Sequence, residues 1–325
     1  MKPEDSWRPT AGLAALRRRA EALRYTREFF HARGVLEVET PALVNSPVSD
    51  VNLGSLRVNL PGSEAPQFLH TSPEYAMKRL LAAGSGDIYQ VCHVYRGAER
   101  GRQHNPEFTM LEWYRLGFSL QDLMDEVATL TRGLLGDAGA GLDVEFVSYR
   151  EAVLLHAGLD PLEAPDLELQ RAAQALGMGA AHAAAASRDE LLDLIVGAKV
   201  GPALGDGALT FLHRYPASQA ALARLDAQDP RVALRFELYF RGVELANGYH
   251  ELSDVAEQRQ RFYSDQQTRR ARGLPVDTLD ARLLASLEAG LPDCAGVALG
   301  FDRVLMLALN AASIDEVLAF PVERA

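Results

Sequence analysis

The chain has 325 residues, 48% of them hydrophobic and 24% charged, with a formal net charge of −11. That length and balance suit a globular protein with a sizeable core, while the acidic surplus argues against a broad nucleic-acid footprint, which needs a basic face. Cys92 and Cys294 are the only cysteines, too few for a disulfide framework. With no apolar signal core and no run near the ~20 apolar residues that span a bilayer, the chain is expected to be cytoplasmic and off the membrane.

Apolar residues at Leu13, Leu16, Ala20, Leu23 and Phe30 predict a helix from Leu13 to Phe30, with Gly34 placed to end it. Within it, Arg17-Arg18-Arg19 reads as a solvated face rather than a phosphate grip. Val35 to Thr40 alternates as a strand and is stopped by Pro41. Two further strands, Ile88 to Arg96 and Glu107 to Arg115, flank a polar turn from Gly97 to Pro106. Alternation puts Phe108, Met110, Glu112 and Tyr114 on one face and Thr109, Leu111 and Trp113 on the other. A ring, a carboxylate and a phenol in register suit a pocket floor; an exposed sheet with scattered polar residues is the plainer reading.

Residues from about 135 to 216 are rich in Ala and Gly and poor in chemistry-bearing side chains, which predicts a helical insertion within one domain spanning 1–325. Beyond it, Arg235 to Phe240 and Val243 to Ala246 flank Arg241-Gly242, a plausible hairpin turn. That turn sets Tyr239 opposite Glu244 and Glu237 diagonal to Glu244 on the same face. Two carboxylates so placed repel unless a cation or proton lies between them, and Mg²⁺ carrying substrate phosphates fits; a solvated, metal-free hairpin is the alternative. A bulge at Asn247-Gly248 is expected to bring Asn247 and Glu251 to the same side. Gly296 to Leu309 reads as a short strand, a tight glycine turn and an apolar helix opening near Asp302, with Arg303 able to point at an anion. There is no G-x-x-x-x-G-K-[ST] loop, so a P-loop phosphate cradle is excluded.

The order of these segments resembles the class II aminoacyl-tRNA synthetases. Gly34 to Pro41 resembles motif 1, Tyr95-Arg96 to Phe108 motif 2, and Gly296 to Arg303 motif 3. His104-Asn-Pro-Glu-Phe-Thr-Met110 and Glu244-Leu-Ala-Asn247-Gly248 are similar to the lysyl-tRNA synthetase signature. The resemblance implies an α+β fold, an antiparallel β-sheet flanked by helices, in a homodimer joined through motif 1. It also implies ATP and Mg²⁺. Arg96 and Arg303 would act on the phosphates, and Glu99, His104, Asn105, Phe108, Glu244, Leu245 and Gly300 would line the nucleotide site. Glu237 and Glu244 would hold the metal. Ser72, Glu74, Glu112, Tyr114, Asn247, Glu251 and Ala298 would surround the amino acid. Where family motif 2 has Arg-x-Glu, this chain reads Arg96-Gly97-Ala98-Glu99, so the adenine-reading Glu is displaced by one residue.

Lysyl-tRNA synthetases carry an N-terminal anticodon-binding OB domain ahead of motif 1, and none is expected here. In that respect, and in Tyr215-Pro-Ala-Ser-Gln219-Ala and the stretch Val317 to Ala325, the chain resembles the short paralogues that modify elongation factor P. The implied activity is adenylation of (R)-β-lysine, or lysine, and its transfer to the ε-amine of a lysine on elongation factor P. No anticodon-dependent tRNA binding is then expected. A free-standing lysine activator acting on tRNA or a small acceptor stays open, as does a non-catalytic regulatory paralogue. The latter predicts loss of Arg96, Glu237, Glu244 or Arg303, and all four are present.

Overall fold

A computed structural model describes residues 7–63, 65–97 and 99–325. In chain order the elements are α1 (Leu13–His31), β1 (Leu36–Glu37), β2 (Leu43–Val44), β3 (Leu56–Val58), β4 (Gln67–Leu69), α2 (Glu74–Ala82), β5 (Ile88–Tyr95), β6 (Glu107–Leu116) and α3 (Leu120–Leu135). There follow β7 (Asp143–Ser148), α4 (Tyr149–Ala157), α5 (Asp166–Ala175), α6 (Ala180–Ala185), α7 (Arg188–Ile195), β8 (Ala208–Pro216), β9 (Val232–Phe240) and β10 (Val243–His250). The chain closes with α8 (Val255–Ala271), α9 (Ala281–Gly290), β11 (Cys294–Gly300) and α10 (Phe301–Ala308). This is the expected α+β fold, dominated by antiparallel pairing. The stretch 135–216 is not wholly helical: its helices lie between strands β7 and β8. Among the described residues, no helix is long and apolar enough to cross a membrane.

The chain forms two compact units. The first comprises 1–119, 129–140 and 252–325. Its strands run β1-β5-β6-β11, with β1 parallel to β5 and the other pairs antiparallel, beside a small β2-β4-β3 sheet. The predicted helix α1 forms, and Gly34 takes a positive φ of 68° after it. Its buried residues differ from the predicted stripe: Ala22, Thr26, Phe29 and Phe30 are buried, whereas Leu13 is 72% exposed. Thr26 tolerates burial because its hydroxyl donates to the Ala22 carbonyl at 2.9 Å. Phe30 stacks on Tyr89 at 4.3 Å and meets Trp113 edge-on at 5.4 Å. The helix thus covers the Tyr89–Trp113 face of the sheet, and the Phe108–Tyr114 face looks the other way.

The second unit comprises 120–128 and 141–251. Its strands run β10-β9-β8-β7, with only β7 and β8 parallel. α4 and α7 open with full capping boxes, Ser148/Glu151 and Ser187/Glu190, which satisfy N–H groups the first turn leaves unpaired. The β9–β10 turn is the predicted one. Arg241 and Gly242 both have positive φ, 50° and 71°, as a type I′ hairpin turn demands.

Candidate active site

In the first unit, the ends of β5 and β6 and the start of α10 assemble a cationic cluster. Arg96 lies just past β5, and its guanidinium carbon is 5.2 Å from the centre of the Phe108 ring. Its Nε is buried with no hydrogen-bond partner among the described residues. Glu99 stands 3.6 Å from Arg96 and 3.9 Å from His104, so the displaced glutamate faces this cluster; Ala98 lies outside the described residues. Arg303 donates to His104 Nε2 at 2.5 Å and to the Gln103 carbonyl at 3.3 Å. Burial, then the charge of Arg303, lowers the His104 pKa. A neutral imidazole is what that contact requires, since Nε2 can accept only when unprotonated.

Asp302, beside Arg303, turns inward and is 1% exposed. Its carboxylate accepts from the Thr109 backbone N–H at 2.6 Å and from Arg19 at 2.5 Å, and Arg19 also donates to the Thr109 hydroxyl at 2.6 Å. The arginine run is therefore not simply a solvated face. Arg17 is exposed, but Arg19 offsets a buried carboxylate that would be costly alone, and so ties α1 to β6 and α10. Asn105 also has a structural part: its amide donates to the Glu107 carbonyl at 2.6 Å and accepts from the Val322 N–H at 3.1 Å. Gly300 is not the tight turn expected. It is extended, φ −73° and ψ 92°, and stands at the N-cap of α10 opposite Met110.

The same sheet face carries the amino-acid candidates. Glu112 pairs across the strands with Gln90 on one side and Ala298 on the other, which aligns three side chains in one row. Glu112 is 2% exposed and accepts from the Tyr114 hydroxyl and the Ser72 hydroxyl, both at 2.7 Å. Ser72 in turn accepts from the Glu74 backbone N–H at 2.9 Å, which holds the start of α2 to this face. One turn further along α2, buried Lys78 donates to Glu74 at 2.7 Å. Lys78 and Gln90 escaped the sequence reading, which also gave Arg19 and Asp302 no shared role. Only Lys78 had a signal, the i,i+4 spacing from Glu74.

In the second unit, Glu244 pairs with Tyr239 and Asn247 with Glu237. The register shift lies between Glu244 and Ala246, so the bulge falls at buried Leu245 and not at Asn247-Gly248. Moving it changes its position but not its consequence: Glu237, Tyr239, Glu244 and Asn247 share a face, and alternation carries Glu251 to that face too. Glu251 is 1% exposed, and the Asn247 Oδ1 is buried with no partner among the described residues. Glu237 accepts from Arg235 at 2.5 Å and from the Tyr239 hydroxyl at 2.8 Å. Burial, then Glu237, pushes the Tyr239 phenol up, so it remains a donor. Burial works against the charge of Arg235, but Glu237 and its neighbours hold its pKa above the ordinary value.

Among the described residues, no three His, Cys, Asp or Glu side chains gather as a dedicated metal cage. Mg²⁺ needs no such cage, because it usually keeps waters and takes one or two carboxylates plus substrate phosphates. Glu237 and Glu244 fit that donor set, since each carboxylate oxygen has two acceptor positions and the bonds to Glu237 use one apiece.

The profile of the tRNA synthetases class II (D, K and N) matches residues 6–324. The chain belongs to that family. Full-length relatives include the elongation factor P–(R)-β-lysine ligases of Pectobacterium carotovorum subsp. carotovorum strain PC1, 48% identical, and of Edwardsiella ictaluri strain 93-146, 49% identical, each alignment covering 100% of both chains. The ligase of Vibrio cholerae serotype O1 is 49% identical over 99% of both chains.

Proposed function

We propose that this class II enzyme adenylates (R)-β-lysine with ATP and transfers the acyl group to a lysine ε-amine on elongation factor P. One observation carries the reading: a single sheet face bears an arginine cluster at one end and a buried, hydroxyl-clamped carboxylate, Glu112, at the other. Such a face takes an anionic nucleotide and a cationic amino acid. Full-length similarity to relatives named as these ligases supplies the acceptor and the β-lysine.

In the first step the substrate carboxylate oxygen bonds to the α-phosphorus, the bond to the bridging oxygen breaks, and pyrophosphate leaves. Arg96 and Arg303 offset the negative charge that builds on the phosphates, and Phe108 stacks on adenine. Mg²⁺, held by Glu237 and Glu244, would supply further charge compensation on the phosphate oxygens. Glu112 and Glu74 receive the amino groups of the substrate. In the second step the acceptor amine adds to the activated carbonyl, AMP leaves, and the amine nitrogen loses its proton. No nucleophilic side chain is required, because the mixed anhydride is already activated. The exposed Leu36, 55% accessible, suits a homodimer contact through motif 1; a cytoplasmic setting belongs to the same proposal. The test is incubation with ATP and labelled lysine isomers, with either elongation factor P or tRNA as acceptor. Labelling of elongation factor P with the β-isomer is expected. Labelling of tRNA alone would overturn the proposal, as would near wild-type pyrophosphate exchange by Glu244→Gln for the metal assignment.

A further inference from the structure

Gln90 lies in the middle of β5, 2% exposed, directly opposite Glu112 and on the row that continues to Ala298. Its amide engages Cys92 two residues along the same face, whose thiol burial, then Glu112, pushes up to about 12. Cys92 therefore stays a neutral thiol that can receive the amide N–H. The other end of the amide has no such outlet: Gln90 Oε1 is buried with no partner among the described residues. A buried acceptor left unsatisfied is costly, so sequences keep one where a ligand completes it.

The neighbour across the strand identifies the ligand chemistry. Cross-strand side chains start about 5 Å apart. The Gln90 oxygen and the Glu112 carboxylate are thus two acceptors side by side, which repel until a donor sits between them. The Tyr114 and Ser72 hydroxyls both donate to Glu112, which fixes its carboxylate beside Gln90. A primary ammonium carries the charge that Glu112 attracts and an N–H donor for the unpartnered Gln90 oxygen. The short side chain of Ala298 keeps the end of the row low.

We propose that Gln90 is a specificity-determining residue, its Oε1 accepting a hydrogen bond from the terminal ammonium of the substrate beside Glu112. This rests on the lysine-activating reading above and adds a neutral acceptor to it. The neutrality matters. A second carboxylate at this position would repel Glu112 in the empty pocket, whereas an amide adds an acceptor without that repulsion.

The experiment is pyrophosphate exchange by the full-length enzyme with (R)-β-lysine and with its analogue bearing methyl in place of the terminal ammonium. Gln90→Met keeps length and burial but removes the acceptor. The KM for (R)-β-lysine should rise about 10- to 100-fold, the loss expected for a hydrogen bond to a charged group. The KM for ATP should hold, kcat should change little, and the methyl analogue should be unaffected, so discrimination falls by the same factor. A purely structural Gln90 would shift both substrates alike, and that result, or an unchanged KM, overturns the inference. If Gln90→Met does not fold, Gln90→Leu decides by the same readout: the KM for (R)-β-lysine should rise while that for the methyl analogue holds, and a parallel shift of both refutes the role. Absence of exchange by the unaltered enzyme with every lysine isomer would remove the functional reading and this inference together. Normal exchange with no Gln90 effect removes this inference alone.

Discussion

Replacing Lys78 by Met tests how the substrate face is held. The Lys78 ammonium lies 2.7 Å from Glu74, with the two side chains 2% and 17% exposed. Met preserves the length and apolar stem of the side chain and removes only the charge. Breaking a buried pair from one side costs about 3–5 kcal/mol, because the remaining charge is stranded. Glu74 retains some exposure to water, so the expected loss is near the lower end, about 3 kcal/mol. For a chain of this size that corresponds to a fall in Tm of roughly 4–5 °C. Freed from its anchor, Glu74 should also bind the substrate amine less well, raising the KM for the amino acid while that for ATP holds. Glu74→Gln supplies the control. In the double variant neither charge remains, so the destabilisation should be at least about 1 kcal/mol smaller than the sum of the single losses. Thermal melts of the four proteins, with pyrophosphate exchange on each, measure both effects. Strict additivity of the two single losses would show that the pair is not coupled and would refute the reasoning.

Three further outcomes are expected. Ala298→Gly removes a methyl from the row shared with Glu112 and should raise activity with α-lysine relative to β-lysine by about tenfold to a hundredfold; an unchanged isomer ratio in adenylation assays would leave Ala298 as packing alone. His104, whose pKa burial and Arg303 hold below 6.5, should titrate there by NMR in the free protein and move upward when ATP brings its negative charge; a downward move would remove His104 from the nucleotide site. Asp265, half-buried and accepting from Ser49 at 2.8 Å, has its pKa raised to about 6, chiefly by desolvation and secondarily by Asp50 against the opposing bond from Ser49. The folded state therefore binds this proton more tightly than the unfolded chain, and stability from this group falls as pH rises from about 4 to 6. Asp265→Asn should be more stable than the parent at pH 8, with the advantage fading towards pH 4 in denaturant melts, and an advantage that grows on acidification would contradict the linkage.

Much of the candidate site was legible because it lies on strands, where the side-chain period is set by the backbone itself. Glu112 and Tyr114 on one face, Trp113 on the other, and Glu244 opposite Tyr239 all follow from alternation plus one hairpin turn, and each holds in the structure. The turn was readable too, because Arg241-Gly242 joins two strongly patterned strands at the shortest spacing. The bulge was inferred from an awkward spacing of acids, but its place at Leu245 was not, since either position returns the same residues to the same face.

The amino-acid sequence by itself determined the order of the elements, the identity of the acid and arginine candidates, and the faces on which strand residues stand. Those follow from local backbone geometry and from motif order. Tertiary structure alone decided which buried polar groups answer one another: Arg19 with Asp302 across 283 positions, Asn105 with Val322 across 217, Ser72 with Glu112 across 40. It also decided which face of α1 is buried, because a hydroxyl that can bond its own backbone makes Thr26 as admissible in the core as the leucines that were expected there. Periodicity records how a residue relates to its neighbours along the chain. The cost of burying a charge or an amide depends on groups brought close only by folding, and no local pattern encodes that.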